Sequence, residues 1–299
     1  IENKLTWFLN KYRIRHIFED SKGRIFVSTY SDYGLIIFDN EQIQTITTKD
    51  GLTGNKIRLT YEDKKGNIWV GTTGGVNVLN FNEHKLSITK FTQDEGLSNN
   101  FIMAIEEDKK GNIWIGTDGG GLNCFKDNKI QKISTGEGLS SNIVFKIYND
   151  KDGLLWIATT GGLTLIENEK IFNFTVKDGL YNDTIFNMVF DNCEKIWLGT
   201  VNGIFSVEKS QLIDYKNGKT KKINYIFYDK NDGLKGGITP TSWNFITKDS
   251  VIYFSTIFGV SILNCNNISI NKKAPNTIIE GIVVDNKIRQ KNKDIYFIE

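Results

Sequence analysis

Ile68-Trp69-Val70-Gly71-Thr72 is the stretch of sequence that decides the fold, because the chain repeats it. The phrase returns at residues 113–117, 155–159 and 196–200, and successive tryptophans are 45, 42 and 41 residues apart. An acidic-Gly-Leu phrase keeps step with it, each glycine standing 18 residues before its tryptophan, at Gly51, Gly96, Gly138 and Gly179. Two signals in phase over four copies, at a period within about 20–50 residues, indicate a repeat architecture.

Degenerate copies extend the array at both ends. Residues 25–29 carry Phe26 at the tryptophan position, and residues 252–256 carry Tyr253 there. The step from Trp197 to Tyr253 is 56 residues, which predicts an insertion in the polar stretch 216–222. We therefore count six repeats between about Lys11 and Ile270.

Each repeat has the pattern of four short strands. In residues 51–93, polar turns rich in Gly, Asn and Asp separate four runs of β-branched and aromatic residues. No stretch shows a helical apolar period of useful length. Four strands per repeat of this size predict an all-β fold, a β-propeller of four-stranded antiparallel blades. A parallel β-helix is the competing solenoid, but its rungs are shorter.

The repeated motif also predicts how the blades pack. We expect each tryptophan on the second strand of its blade, buried in the seam between blades. The small residues two places on are Gly71, Gly116, Ala158, Gly199 and Ser255. They predict a place where backbone approaches closely.

Composition excludes several classes of function. The formal net charge is +2, from 37 basic and 35 acidic residues, and no basic stripe suggests nucleic acid. No apolar run is long enough to span a membrane. Three separated cysteines disfavour a disulfide framework and a zinc site. The chain begins inside the repeat array without a signal peptide, and we expect it to be a piece of a longer protein.

One copy carries a family resemblance. Residues 108–122, Asp-Lys-Lys-Gly-Asn-Ile-Trp-Ile-Gly-Thr-Asp-Gly-Gly-Gly-Leu, preceded by Glu-Gly-Leu-Ser-Asn-Asn at 95–100, resemble the two-component regulator propeller repeat. That repeat is known from extracytoplasmic sensor regions of bacterial histidine kinases and hybrid two-component systems. Family members commonly have seven blades, so the resemblance leaves a seven-bladed ring open if one repeat is incomplete.

The resemblance also divides the chain into domains. It implies a propeller over residues 1–270. Residues 271–299 would be a linker and the first strands of a truncated β-sandwich rich in tyrosine, because Pro275-Asn276-Thr277-Ile278 and the following residues are similar to the start of that domain. Residues 1–8 are expected to supply a lone outer strand that completes the last blade.

The residues favour no enzyme. Only His16 and His84 are available for nucleophilic or metal chemistry, and His84 is expected in a solvated turn. The acidic residues that recur once per repeat are interpreted as turn caps (Asp20, Asp63, Asp108, Asp150, Asp191 and Asp249). We predict no catalytic residue, no metal and no cofactor for this segment.

Binding is the better hypothesis, with residues that differ between the copies as its candidates. We align Arg15 with Arg58, Met103, Phe145, Phe186 and Asn244, and His16 with Leu59, Ala104, Lys146, Asn187 and Phe245. Asp118 varies in the second-to-third turn. Such groups around one mouth of the channel suit a polar metabolite, and the alternative is that they merely fill the channel. The predicted ligand-binding residues are Arg15, His16, Arg58, Asp118, Phe145, Lys146, Asn187 and Asn244.

The resulting expectation is an extracytoplasmic, ligand-sensing propeller of a membrane-anchored bacterial receptor. The ligand is expected to be a small molecule or oligosaccharide, and the full receptor a homodimer without nucleic-acid partners. A histidine kinase or other output would lie in a region outside this chain, as would any membrane contact. Two rivals remain open: a lyase resembling the streptogramin-inactivating enzymes, which need a histidine and a metal, and a propeller that only binds other proteins.

Overall fold

The chain forms a six-bladed β-propeller, as the repeats predict. The computed structural model describes residues 4–82, 85–127, 129–240, 243–268, 282–284 and 287–289. It divides into two compact units, Ile1–Asn266 and Asn267–Glu299. All six blades lie in the first unit. In the second unit, β24 (Ile282–Val284) and β25 (Lys287–Arg289) pair as an antiparallel hairpin, and the predicted β-sandwich otherwise lies outside the described residues.

Each blade is a meander whose strands pair in chain order from the channel outward. The inner strands are β1 (Ile14–Glu19), β5 (Ile57–Glu62), β9 (Ile102–Glu107), β13 (Val144–Asn149), β17 (Asn187–Phe190) and β21 (Phe245–Ile246). The second strands are β2 (Ile25–Thr29), β6 (Ile68–Thr72), β10 (Ile113–Thr117), β14 (Leu155–Thr159), β18 (Lys195–Gly199) and β22 (Val251–Thr256). The third strands are β3 (Leu35–Asp39), β7 (Val76–Asn82), β11 (Leu122–Lys126), β15 (Gly162–Glu167), β19 (Ile204–Glu208) and β23 (Gly259–Asn264). The outer strands are β4 (Gln42–Ile46), β8 (Lys85–Phe91), β12 (Lys129–Ile133), β16 (Lys170–Phe174) and β20 (Ile226–Tyr228).

An aspartate and a tryptophan hold the first hairpin of four blades together. In the second blade, Asp63 Oδ1 accepts the backbone N–H groups of Lys65 and Asn67, while Asp63 Oδ2 accepts Trp69 Nε1–H at 2.9 Å. The tryptophans of the next three blades donate to Asp108, Asp150 and Asp191, each at 2.9 Å. The predicted turn-capping role of these four aspartates is confirmed. Each of them also accepts a hydrogen bond from the tryptophan, which was not predicted.

The first and last blades depart from this pattern. Asp20 caps its turn as predicted, because its Oδ1 accepts the N–H groups of Lys22 and Arg24. Phe26 cannot donate a hydrogen bond, and Asp20 Oδ2 pairs with the guanidinium of Arg24 in its place. In the sixth blade the turn position belongs to Thr247, whose hydroxyl accepts the N–H of Val251. The assignment of this role to Asp249 is therefore wrong by two residues.

The tryptophan prediction is confirmed, whereas the reason given for the small residues is wrong. Trp69, Trp156 and Trp197 are buried on their second strands, and Trp114 is half-buried. A Cβ placed on Gly116 would lie 2.5 Å from Val144 Cγ1, a side chain of the next blade. The small residue makes room for a β-branched side chain across the seam and not for backbone.

The acidic-Gly-Leu phrase ends a short 3₁₀ turn before each of several inner strands. At residues 48–50, Thr47 and Asp50 form a reciprocal capping box, and Gly51 follows at φ +112°. That left-handed conformation explains the glycine. Similar turns are Thr135–Glu137, Val176–Asp178 and Lys230–Asp232.

Two short helices contradict the strand-only expectation. Lys4–Leu9 forms helix α1, where residues 1–8 were expected to supply an outer strand. Leu5 and Leu9 are buried against Val27 and Ile36 of the first blade, because their four-residue spacing places both on one helical face. The insertion begins earlier than predicted, as helix α2 (Lys209–Lys216), and Leu212 anchors it in the core.

Candidate ligand site at the channel mouth

Bulges interrupt the inner strands of four blades. In the second blade Ile57 pairs with Thr72 and Leu59 pairs with Gly71, so that Arg58 is an extra residue in the ladder. The register shifts at the same place in the first, third and fourth blades, at Arg15, Met103 and Phe145. Consecutive residues of a regular strand point to opposite faces, and a bulge re-aims one of them.

The bulges build a pocket at one mouth of the channel. It encloses about 300 Å³ of non-protein space, a volume that includes open solvent at the mouth. Five of the six blades contribute to its lining, which consists of Arg58, Met103, Phe145, Lys146, Phe186, Asn187, Pro240 and Trp243. Aromatic surface with a few converging polar groups is the usual composition of a small-molecule site.

Four of the eight predicted site residues line this pocket, namely Arg58, Phe145, Lys146 and Asn187. Three others lie at its edge or deeper in the channel. Arg15 and the exposed Asp118 are within electrostatic reach of Arg58, and His16 packs on Trp243 at a ring-centroid distance of 4.4 Å. The eighth, Asn244, does not line the pocket. Both polar side-chain atoms of Asn244 are buried without a hydrogen bond.

The sequence alignment missed Trp243 because it was out of register in the sixth blade. Phe245 pairs with Tyr253, and the hydroxyl of Ser255 donates to the carbonyl of Trp243 at 2.8 Å. Trp243 therefore occupies the position of Lys146 and His16, and the alignment of Phe245 there is wrong. The signal was available, because twelve residues separate Lys146 from Ala158 and Trp243 from Ser255 alike.

Arg58 is a buried cation in the lining of this mouth. It is only 8% exposed, and its described hydrogen bond goes to the thioether of Met103, from Nη2 to Sδ at 3.1 Å. A thioether is a weak acceptor for a group with five N–H donors. Burial lowers the pKa of Arg58, and the charge of Arg15 lowers it further, whereas Tyr30 and Asp118 raise it.

A second group of cations surrounds the ring of Tyr30. The guanidinium carbon of Arg15 lies 4.7 Å from the ring centroid. The guanidinium carbon of Arg13 and the ammonium nitrogen of Lys56 each lie 5.5 Å from it. The Nε atom of Arg15 is buried without a hydrogen bond. Burial and the charge of Arg13 lower the pKa of Arg15.

Trp243 joins opposite walls of the channel. The Lys146 ammonium lies 4.2 Å from its ring centroid, and His16 contacts the same indole. The backbone N–H of Thr60 donates to His16 Nδ1 at 3.3 Å. Burial, and then the charge of Lys146, lowers the pKa of His16 to about 3, so the imidazole is neutral at neutral pH.

Glu106 is the acidic counterpart inside the channel. Burial raises its pKa to about 7, although the charge of Lys146 opposes the shift. Burial also lowers the pKa of Lys146, while the charge of Glu106 raises it. The low dielectric of the channel thus disfavours the charged form of each partner.

These groups predict a compensated pH dependence of stability. Neutral His16 stabilises the fold above pH 6.5, and this contribution is lost as the pH falls from 6.5 toward 3. Protonated Glu106 stabilises the fold below pH 4.5, and this contribution is lost as the pH rises from 4.5 toward 7. Between pH 4.5 and 6.5 the two slopes oppose each other, each at most about 1.4 kcal/mol per pH unit.

We therefore expect Glu106→Gln to leave only the pH dependence of stability that comes from His16. Urea unfolding of the variant should show a free energy of unfolding that falls as the pH is lowered from 6.5 to 4.5, whereas the original chain changes little. His16→Asn should show the opposite slope. If the free energy of unfolding of Glu106→Gln depended on pH as little as that of the original chain, the lowered pKa of His16 and the raised pKa of Glu106 would be contradicted.

A second cleft, of about 440 Å³, lies between the fifth and sixth blades. Its lining is mostly apolar and includes Trp197, Phe254 and Leu263. It lacks the converging cations and amide of the channel pocket, and we therefore take the channel pocket as the candidate site. In the described part of the chain, no three His, Cys, Asp or Glu side chains are placed to hold one metal ion.

Comparison with known proteins identifies the repeats. The model of the two-component regulator propeller family matches residues 51–74, 96–119 and 138–161, each from a Gly-Leu turn to the turn after the second strand. A search of curated protein sequences finds no match. Three of the six blades therefore carry two-component regulator propeller repeats.

Solved structures share this fold. The "extracellular domain of the putative hybrid two component system BT3049 from B. thetaiotaomicron" is 28% identical, with a TM-score of 0.72 over 85% of this chain and 34% of that one. The extracellular domain of a second B. thetaiotaomicron system, BT4673, is 19% identical, with a TM-score of 0.67 over 88% and 36%. The chain thus spans about a third of the length of these proteins.

Virginiamycin B lyase from Staphylococcus aureus, as a catalytically inactive variant with quinupristin, is also similar. It is 16% identical, with a TM-score of 0.62 over 86% of this chain and 83% of that one. At this identity the likeness establishes a shared fold and no shared chemistry. Among the described residues, no helix has the length and hydropathy needed to cross a membrane.

Proposed function

We propose that the chain is the extracytoplasmic, ligand-sensing propeller of a bacterial two-component receptor, and that its ligand is a carbohydrate. The pocket at the channel mouth carries the proposal. It combines aromatic side chains with an amide and two cations, and aromatic faces beside polar groups suit the alternating apolar and hydroxylated surfaces of a sugar.

The relatives support the sensing role. Extracellular domains of two-component systems share the fold, and one of them is 28% identical. The lyase relative is more distant, and the described residues offer no comparable group of metal ligands. We accordingly propose that this segment has no catalytic activity and that an output region lies elsewhere in the receptor.

The position of the pocket gives binding a mechanical consequence. Phe145 and Lys146 come from the fourth blade, Phe186 and Asn187 from the fifth, and Arg58 from the second. A ligand that contacts all of them joins blades that otherwise meet through their seams. Binding would then favour one relative arrangement of the blades, which a homodimeric receptor could pass to its output region.

The proposal predicts saccharide binding that depends on Phe145. Isothermal titration calorimetry against a panel of plant and host oligosaccharides should yield at least one ligand, and Phe145→Ala should weaken it at least tenfold. Phe145 is half-buried and forms an edge-on pair with Phe186, so its loss removes stacking surface from the pocket.

Phe172→Ala is the matched control, because Phe172 lies on the outer strand of the same blade. It should leave affinity unchanged. Binding that is equally insensitive to both substitutions would place the ligand elsewhere, and a panel without any ligand would oppose the carbohydrate proposal. Sedimentation velocity with and without the ligand tests the homodimer.

A further inference from the structure

We infer that the saccharide bound at the channel mouth is acidic, and that Arg58, Arg15 and Lys146 bind its anionic group. This inference rests on the proposed function and adds the chemical class of the ligand. The shared chemistry is a carboxylate or sulfate substituent on a sugar ring.

The first observation is an excess of cations over carboxylates. Five cations lie in and around this mouth: Arg13, Arg15, Lys56, Arg58 and Lys146. None of them is in an ion pair within 4 Å of a carboxylate, considering the residues that the structure describes.

The second observation concerns the donors that these cations offer. Arg58 donates to a thioether, the buried Arg15 Nε has no acceptor, and the Lys146 ammonium faces the indole of Trp243. Buried polar groups are ordinarily hydrogen-bonded. A carboxylate or sulfate supplies several oxygen acceptors at once, and a guanidinium binds such groups through two parallel bonds.

The electrostatics of the mouth point the same way. The neighbouring charges of Arg15 and Arg58 repel each other, and each pKa is lowered by burial and by a nearby guanidinium. An anion between them would offset the repulsion and raise both pKa values, because an opposite charge stabilises the charged form. Asp118, the acid within reach of Arg58, is exposed at the rim.

The remaining wall fits the uncharged part of a sugar. Phe145 and Phe186 meet edge-on with ring centroids 5.1 Å apart, and Trp243 closes the base. The pocket is partly open to solvent, so a sugar ring would lie across the mouth and further units would extend outward from it.

Paired ligands test the inference directly. Calorimetry should compare galacturonic acid oligomers with their neutral methyl esters, and galactose 6-sulfate oligomers with unsulfated galactose oligomers. We expect at least one acidic member to bind tenfold or more tightly than its neutral partner. Arg58→Gln should abolish that preference, and so should Arg15→Gln if the first variant folds poorly.

Lys129→Gln is the control, since Lys129 is an exposed cation on the outer strand β12. It should keep the full preference for the acidic member. Neutral oligomers that bind as tightly as acidic ones would overturn the inference and leave the carbohydrate proposal standing. Binding of a simple dicarboxylate such as succinate, without binding of any saccharide, would overturn both.

Discussion

Trp156→Ala is expected to lower the free energy of unfolding by about 3–5 kcal/mol, the range for large aromatic side chains removed from a core. Trp156 is completely buried on β14 and contacts Phe174 in its own blade and Phe190 in the next. Its removal would leave a cavity in the seam and take away one of the hydrogen bonds that Asp150 accepts. Urea unfolding followed by circular dichroism measures the loss.

Trp156→Phe distinguishes the destabilisation caused by the cavity from that caused by the lost hydrogen bond. The first blade carries Phe26 at this position, completely buried, so a phenyl ring is compatible with a blade of this kind. We expect a loss of about 1–2 kcal/mol, the contribution of a hydrogen bond to a charged group with some lost packing. A loss below about 1 kcal/mol for Trp156→Ala would show that the seam does not depend on this side chain.

Asp150→Asn is expected to cost about 3 kcal/mol, the lower end of the range for breaking a buried ion pair. Asp150 Oδ2 accepts both the Trp156 Nε1–H at 2.9 Å and the Lys209 ammonium at 2.7 Å. Lys209 is only 6% exposed, and hydrogen bonds to its acidic neighbours raise its pKa despite burial. The amide leaves this ammonium short of a buried counter-charge.

Asp108→Asn is the matched control. Asp108 makes the same bonds to its turn and to Trp114, and no described lysine or arginine pairs with it. Its loss should be about 1–2 kcal/mol. Equal losses for the two variants, measured by the same unfolding experiment, would show that the Lys209 pair adds nothing.

The fold could be predicted because its rules are local and repeated. The Trp-containing phrase and the Gly-Leu turn recur in phase, so six repeats follow from spacing, whereas the closure of the ring with six blades comes from the structure. The capping aspartates also follow, since a carboxylate two residues before a turn is a local signal. Helix α1 was missed, because six residues are too few for a helical period to stand out.

The site could be predicted only in part, for a different reason. Arg58, Phe145, Lys146 and Asn187 differ between copies and do line the pocket. Trp243 was missed where the copies diverge and the alignment slipped by two residues. The joint exposure of Phe145 and Lys146 depends on a bulge, which has no distinct sequence signature in strands of this kind.

The bulges suggest how such a propeller can change what it recognises. The bulge in an inner strand sets one extra side chain beside the residue that follows it, and in the fourth blade both side chains line the pocket. The seams are held by other residues farther out. Arg15 and His16 occupy these positions in the first blade, and Phe145 and Lys146 occupy them in the fourth. Recognition can therefore diversify by exchanging pairs of residues on a constant frame, and grafting such pairs between propellers is a practical route to receptors with new specificity.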